Sequence, residues 1–183
     1  MRLQPKIRFA TAWLGGCAGC HMSFLDLDER LIDLAGMIEL VYSPIADVKT
    51  YPENVDVALV EGAVANEDHL ELIHRVRANT HTLVSFGDCA VTGNVSALRN
   101  PLGKALVVLE RSYLDKASIA PMVPATPGVL PRLLDRVLPV HQVVPVDVYL
   151  PGCPPPAARI RTVVQQLLDA SEVRLPQRDL KFG

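Results

Sequence analysis

Short apolar runs alternate along this chain with stretches in which apolar residues recur at helical spacing. The runs at 7–13, 38–42, 55–60, 82–86 and 146–150 read as β-strands. The third is apolar except for Asp56, the pattern of a strand buried on both faces. Between the runs, residues 23–35 predict a helix, with Ser23 as N-cap, Asp26 three residues on and Gly36 as the stop. Residues 66–78 predict another. Asn66 can cap it, Glu67 and Asp68 suit the positive end of the helix dipole, and Arg75 and Arg77 suit the other end. A last helix starts near Pro156 and gathers Ile160, Val163, Val164, Leu167 and Leu168 on one face. The longer stretch before the final strand is punctuated by Pro121, Pro124 and Pro127. It suggests helices at 102–114 and 128–137, the second behind Thr126-Pro127. Strand–helix alternation of this kind predicts an α/β fold, a flavodoxin-like doubly wound parallel sheet, as a single domain over 1–183.

Composition narrows the function classes. A chain of 183 residues, 49% hydrophobic and 21% charged, has the material for one sizeable core and does not read as disordered. Its 18 basic and 20 acidic residues create no field that would recruit nucleic acid or an anionic membrane. No apolar run is long enough to span a bilayer, so no membrane insertion is expected. Residues 1–6 lead into the first strand with no secretory h-region, and the expected location is cytoplasmic. Thiols stay reduced there, which makes cysteines metal ligands or reactive groups before disulfides.

All four cysteines stand in Gly- or Pro-broken loops just after predicted strands. Cys17 and Cys20 lie in Gly15-Gly16-Cys17-Ala18-Gly19-Cys20, Cys89 in Gly87-Asp88-Cys89, and Cys153 in Pro151-Gly152-Cys153-Pro154-Pro155. Right-handed crossovers bring the C-terminal ends of parallel strands to one edge of the sheet, where four thiolates can ligate one centre. A zinc site would more often gather two close pairs, whereas here one pair is joined by two isolated cysteines. A redox dithiol at Cys17 and Cys20 would leave the other two unexplained. An iron–sulfur cluster accepts such dispersed ligands, and a proline after the last cysteine suits it. One [4Fe–4S] cluster on Cys17, Cys20, Cys89 and Cys153 is therefore the favoured reading, with zinc and redox thiols as rivals.

These motifs, taken with Cys17-Ala18-Gly19-Cys20-His21-Met22-Ser23 and Val60-Glu61-Gly62-Ala63-Val64, resemble in order those of the small subunit of [NiFe] hydrogenases. The likeness runs from about Lys6 to the last helix. It is nearest to the cytosolic NAD(P)-reducing, soluble bidirectional type. The related complex I subunit shares the Pro-Gly-Cys-Pro ending but typically begins with adjacent cysteines, where this chain has two residues between Cys17 and Cys20. The resemblance implies a relay of electrons from H2 through one cluster. The Ni–Fe centre would sit on a separate large subunit, and flavin on diaphorase-type iron–sulfur partner subunits. FMN is not expected on this chain, whose first loop lacks a Ser/Thr-rich phosphate cradle. No twin-arginine leader is read, and no cysteine follows Cys153, so one such cluster is expected. The alternative function is a cluster-bearing subunit of a complex I-like quinone-linked or deazaflavin-reducing oxidoreductase.

Two further residues draw attention. Glu61 ends an apolar strand at the cluster edge, as a proton relay, an interface contact, or a carboxylate that accepts amides of the Gly62–Val64 turn, the reading preferred slightly. His21 follows a ligand and is a candidate donor to the cluster or a partner, against a structural role. Trp13 and Met22 are assigned to packing under the cluster or to the subunit interface. Gly15, Gly16, Gly19, Gly87 and Gly152 would allow positive φ and bring backbone N–H groups to sulfur. His69, His74, His81 and His141 lack ligand-like spacing and are assigned to surface or core.

Overall fold

Five strands form one parallel sheet whose three central strands are largely buried on both faces, beneath helices on either side. The computed structural model describes residues 6–177 and 180; the lead segment through residue 5 lies outside the described residues. The sheet comprises β1 (Ile7–Trp13), β2 (Ile38–Tyr42), β3 (Val55–Glu61), β5 (Thr80–Phe86) and β7 (Val148–Leu150), in the order β2-β1-β3-β5-β7. Every pairing in it is parallel. This is the flavodoxin-like order, in which the chain reverses direction of travel beside β1.

Alternate residues of each central strand enter different cores. Phe9, Val57, Leu59, Val84 and Phe86 point to the side of α2 (Arg30–Met37) and α6 (Ala157–Leu168), joining Leu34, Ile160, Val163 and Val164. Ala10, Ala12, Ala58, Val60 and Leu83 point the other way, to Ile73 and Val76 of α3 (Glu67–Ala78). Fully burying a side chain of this size is worth about 1.5–3 kcal/mol, so a polar substitution on either face is costly. The α3 cap forms as the sequence suggests: the Asn66 side chain accepts the His69 amide at 2.8 Å.

Several local expectations are corrected. Residues 23–35 are not one helix. They divide between α1 (Gly19–Leu25) and α2, with Asp28 left-handed (φ 51°) at the break. Ser23 is not a cap; it is buried inside α1 and its hydroxyl donates to Pro155 O at 2.6 Å. Gly36 does not stop α2, which runs on to Met37 and straight into β2. A Cβ at Gly36 would meet nothing within 4 Å. Gly36→Ala is expected to stabilise the protein by about 0.5–1 kcal/mol, read as a higher chemical-denaturation midpoint, because Gly inside a helix loses more backbone entropy.

A further correction concerns 128–137. A single turn forms there, with Val129 N and Leu130 N donating to Thr126 O, and Pro131 ends it by lacking an amide hydrogen. The chain then continues as a strand, β6 (Leu133–Leu138), antiparallel to β4 (Val64–Asn66). The 102–114 helix is also shorter and less regular than expected. A 3-10 segment (Asn94–Leu102) is followed by α5 (Ala105–Glu110) and a π turn (Arg111–Asp115). Among the described residues no helix is long and apolar enough to cross a membrane.

Candidate metal centre

The strand ends do bring the four cysteines together. Cys17 and Cys20 follow β1 at the start of α1, Cys89 opens α4 (Asp88–Thr92) after β5, and Cys153 follows β7. All four are free thiols, Cys20 and Cys89 buried, Cys17 and Cys153 exposed. The thiol of Cys20 is pushed well above its ordinary pKa, first by burial, then by the charge of Glu61 and of the other three cysteines. Burial also raises Cys89. A cation that takes these sulfurs as thiolates must displace protons, so its affinity rises with pH.

Backbone bonds stitch the loops to one another. Leu14 N donates to Glu61 O at 2.8 Å, and Gly15 and Ala63 exchange two bonds of 2.9 Å, which join the loops after β1 and β3. The loops after β5 and β7 join through Gly87 N to Leu150 O (2.8 Å) and Asp88 N to Gly152 O (2.9 Å). Asp88 Oδ1 accepts the Gly152 amide at 2.6 Å. A Cβ at Gly87 would lie 2.1 Å from Cys20 Sγ, and its φ of +82° is itself hostile to side chains. Only glycine fits there. Of the five glycines expected to adopt positive φ, Gly87 and Gly152 do so and Gly15, Gly16 and Gly19 do not.

Glu61 is 1% exposed and serves a different loop from the one expected. Its carboxylate accepts the Cys20 amide at 3.4 Å and the His21 amide at 2.9 Å, and also meets His21 Nδ1. The Gly62–Val64 turn is held instead by the Gly15–Ala63 bridge. Glu61 thus anchors the first cysteine loop across the sheet from β3. His21 rests near Phe86, and its Nε2 is buried without a hydrogen-bond partner. The ring also lines an apolar cavity of about 290 Å³, with Phe24, Leu34 and Ile38 among its walls.

Trp13 and Met22, 44% and 65% exposed, lie open at the surface of this chain. His69 is half-buried and accepts the Ala65 amide, burial lowering its pKa; His74, His81 and His141 are exposed. The sequence reading missed Asn94 and Ser96. Asn94 Nδ2 donates to Cys153 Sγ at 3.3 Å, and Ser96 Oγ donates to Gly15 O, in the first cysteine loop, at 2.6 Å. The Gly93-Asn94 pair soon after Cys89 is a turn signal that could have drawn attention to them.

Four thiols on four separate loop positions suit a cubane, whose irons each take one thiolate. Among the described residues no three His, Cys, Asp or Glu side chains gather closely enough to hold a single metal ion.

The profile of the family described as NADH ubiquinone oxidoreductase, 20 kDa subunit, matches residues 17–167. The delta subunit of the NAD-reducing hydrogenase HoxS of Cupriavidus necator is 39% identical over 177 residues, covering 94% of this chain and 84% of that protein. One component of the F420-non-reducing hydrogenase of Methanothermobacter marburgensis is 35% identical, over 97% of this chain but only 58% of its own length. Among solved structures, a chain of an NAD+-reducing [NiFe]-hydrogenase in the H2-reduced state superposes with a TM-score of 0.92 at 42% identity, covering 98% of this chain and 100% of that one.

Proposed function

This chain belongs to the family of the NADH ubiquinone oxidoreductase 20 kDa subunit and is 39% identical to the delta subunit of an NAD-reducing hydrogenase, and from that premise we propose that it is the electron-relaying small subunit of an NAD(P)-reducing [NiFe] hydrogenase. The observation that carries the reading is the convergence of Cys17, Cys20, Cys89 and Cys153 on one sheet edge, two of them at the surface. A [4Fe–4S] cluster bound there would supply one-electron transfer. The four thiolates would hold it, Glu61 would keep the Cys17–Cys20 loop in place, and the single domain would act as a rigid mount. The Ni–Fe site belongs to a large subunit in this reading, and flavin to diaphorase-type iron–sulfur subunits. The reading also makes the protein cytoplasmic.

Exposed Trp13, Met22, Cys17 and Cys153 support a partner on this edge, since apolar side chains beside an oxidisable centre are poorly left in water. Expressed alone, the chain is expected to associate or aggregate and neither to oxidise nor to evolve H2. Co-expression with its large subunit is expected to give a stable complex with H2-dependent dye reduction. A monodisperse, active monomer would overturn the partner reading. Zinc bound to this chain, with no iron in its complex with the large subunit beyond that of the Ni–Fe site, would overturn the cluster.

A further inference from the structure

Asn94 lies next to a ligand that its sequence position does not announce. It follows α4, whose end is turned by Gly93 (φ 89°) and Asn94 itself (φ 34°), both left-handed. The turn closes with Gly93 N donating to Cys89 O at 2.9 Å and Ala97 N to Gly93 O at 3.0 Å. This folds the chain back over the cysteine edge and sets Asn94 Nδ2 3.3 Å from Cys153 Sγ. Two residues on, Ser96 donates its hydroxyl to Gly15 O at 2.6 Å, in the first cysteine loop.

The segment is anchored from its far end as well. Arg99 donates to Ala65 O (3.1 Å) and Leu134 O (2.7 Å), one carbonyl in each strand of the small β4–β6 sheet. Asn100 exchanges two bonds with the backbone of Val137, at 2.8 and 2.9 Å. The small sheet thus acts as a buttress for the 3-10 segment, and the Asn94 amide is held at the sulfur before any electron arrives.

An N–H dipole pointed at a ligating sulfur favours the more negative, reduced state of a cluster over the oxidised one, and so raises its potential. We propose that Asn94 is a positioning residue for electron transfer: through its hydrogen bond to Cys153 it raises the reduction potential of the centre that the four cysteines hold. The proposal rests on the ligand assignment made above.

The test uses the complex of this chain with its large subunit. The cluster's electron paramagnetic resonance signal is first identified in the unaltered protein by its loss in Cys17→Ala. Absence of any such signal there would overturn the ligand assignment, whatever Asn94 does. Asn94→Gly removes the donor while tolerating the left-handed backbone, and Asn94→Asp replaces the donor with a carboxylate. Iron content is expected to stay unchanged in both. At the unaltered protein's midpoint potential, the reduced-to-oxidised ratio is expected to fall at least about threefold in Asn94→Gly. In Asn94→Asp it is expected to fall about tenfold, equivalent to about 59 mV for one electron. An unchanged or raised midpoint in both variants would overturn the proposal. So would loss of iron from both, which would make Asn94 a residue that retains the centre; if one variant alone loses iron, the midpoint of the other decides.

Discussion

Replacing Cys17, Cys20, Cys89 or Cys153 singly by Ala is expected to remove most of this chain's iron and to lower H2-dependent electron transfer of the complex by more than about a hundredfold. Outer-shell partners of metal ligands are commonly worth about 10–100-fold in affinity or activity, and a direct ligand should exceed them. The chain has no fifth cysteine; the imidazole of His21 is tied to Glu61 and that of His69 to the Ala65 amide, and His74, His81 and His141 are exposed. The four variants should nevertheless differ in stability. Cys20 belongs to the core cluster of Phe9, Phe86 and Leu150, so Cys20→Ala also leaves a small cavity, at a cost of about 1 kcal/mol. Cys17 is exposed, and Cys17→Ala should lose iron while its fold is untouched. Iron analysis with circular dichroism separates the two effects. Full iron and activity in two or more of the variants would remove these cysteines from the ligand set.

The sheet was legible because its strands obey a local rule. Strands buried on both faces must be apolar throughout, and the predicted ends of β1 and β2 coincide with the observed ones. β3 runs one residue further, because Glu61 still pairs with Trp13 and Phe86. The misread elements depend on distant partners. Ser23 looks like a cap until its hydroxyl is seen to bond Pro155, 132 residues away. Residues 133–138 carry helical-looking leucines, but β4 claims their backbone once Pro131 has broken the preceding turn. Sequence composition contains neither fact.

The candidate site divides in the same way. Each cysteine was marked by its own glycine or proline, so topology alone could assemble the set. The polar groups around the cysteines carry no such local mark. Asn94 reaches Cys153 only through two left-handed residues, and Glu61 meets the amides of Cys20 and His21 some forty residues upstream. The carboxylate was noticed for its strand-end position, and its amide-accepting role was anticipated, but for its own turn.

That role can be tested by the contrast between two substitutions. Glu61→Ala removes the acceptor for the Cys20 and His21 amides and the partner of His21 Nδ1, all in a region closed to water. An unsatisfied buried group costs about 1–3 kcal/mol, so two or three together should destabilise the protein by about 3 kcal/mol or more. The freed Cys17–Cys20 loop should also retain less iron. Glu61→Gln keeps the size and one acceptor oxygen, and should be mild in both stability and iron content. Turnover distinguishes this anchoring role from proton transfer, because glutamine cannot exchange a proton at the pH of the assay. If Glu61 only anchors the loop, H2 oxidation by Glu61→Gln should stay within about threefold of the unaltered complex, since loss of a working general acid or base costs about 10²–10⁴-fold. A hundredfold loss of turnover with the cluster's resonance signal intact would instead make Glu61 a proton carrier, and the hydrogen bonds to the loop would then be what holds that carrier beside the cluster.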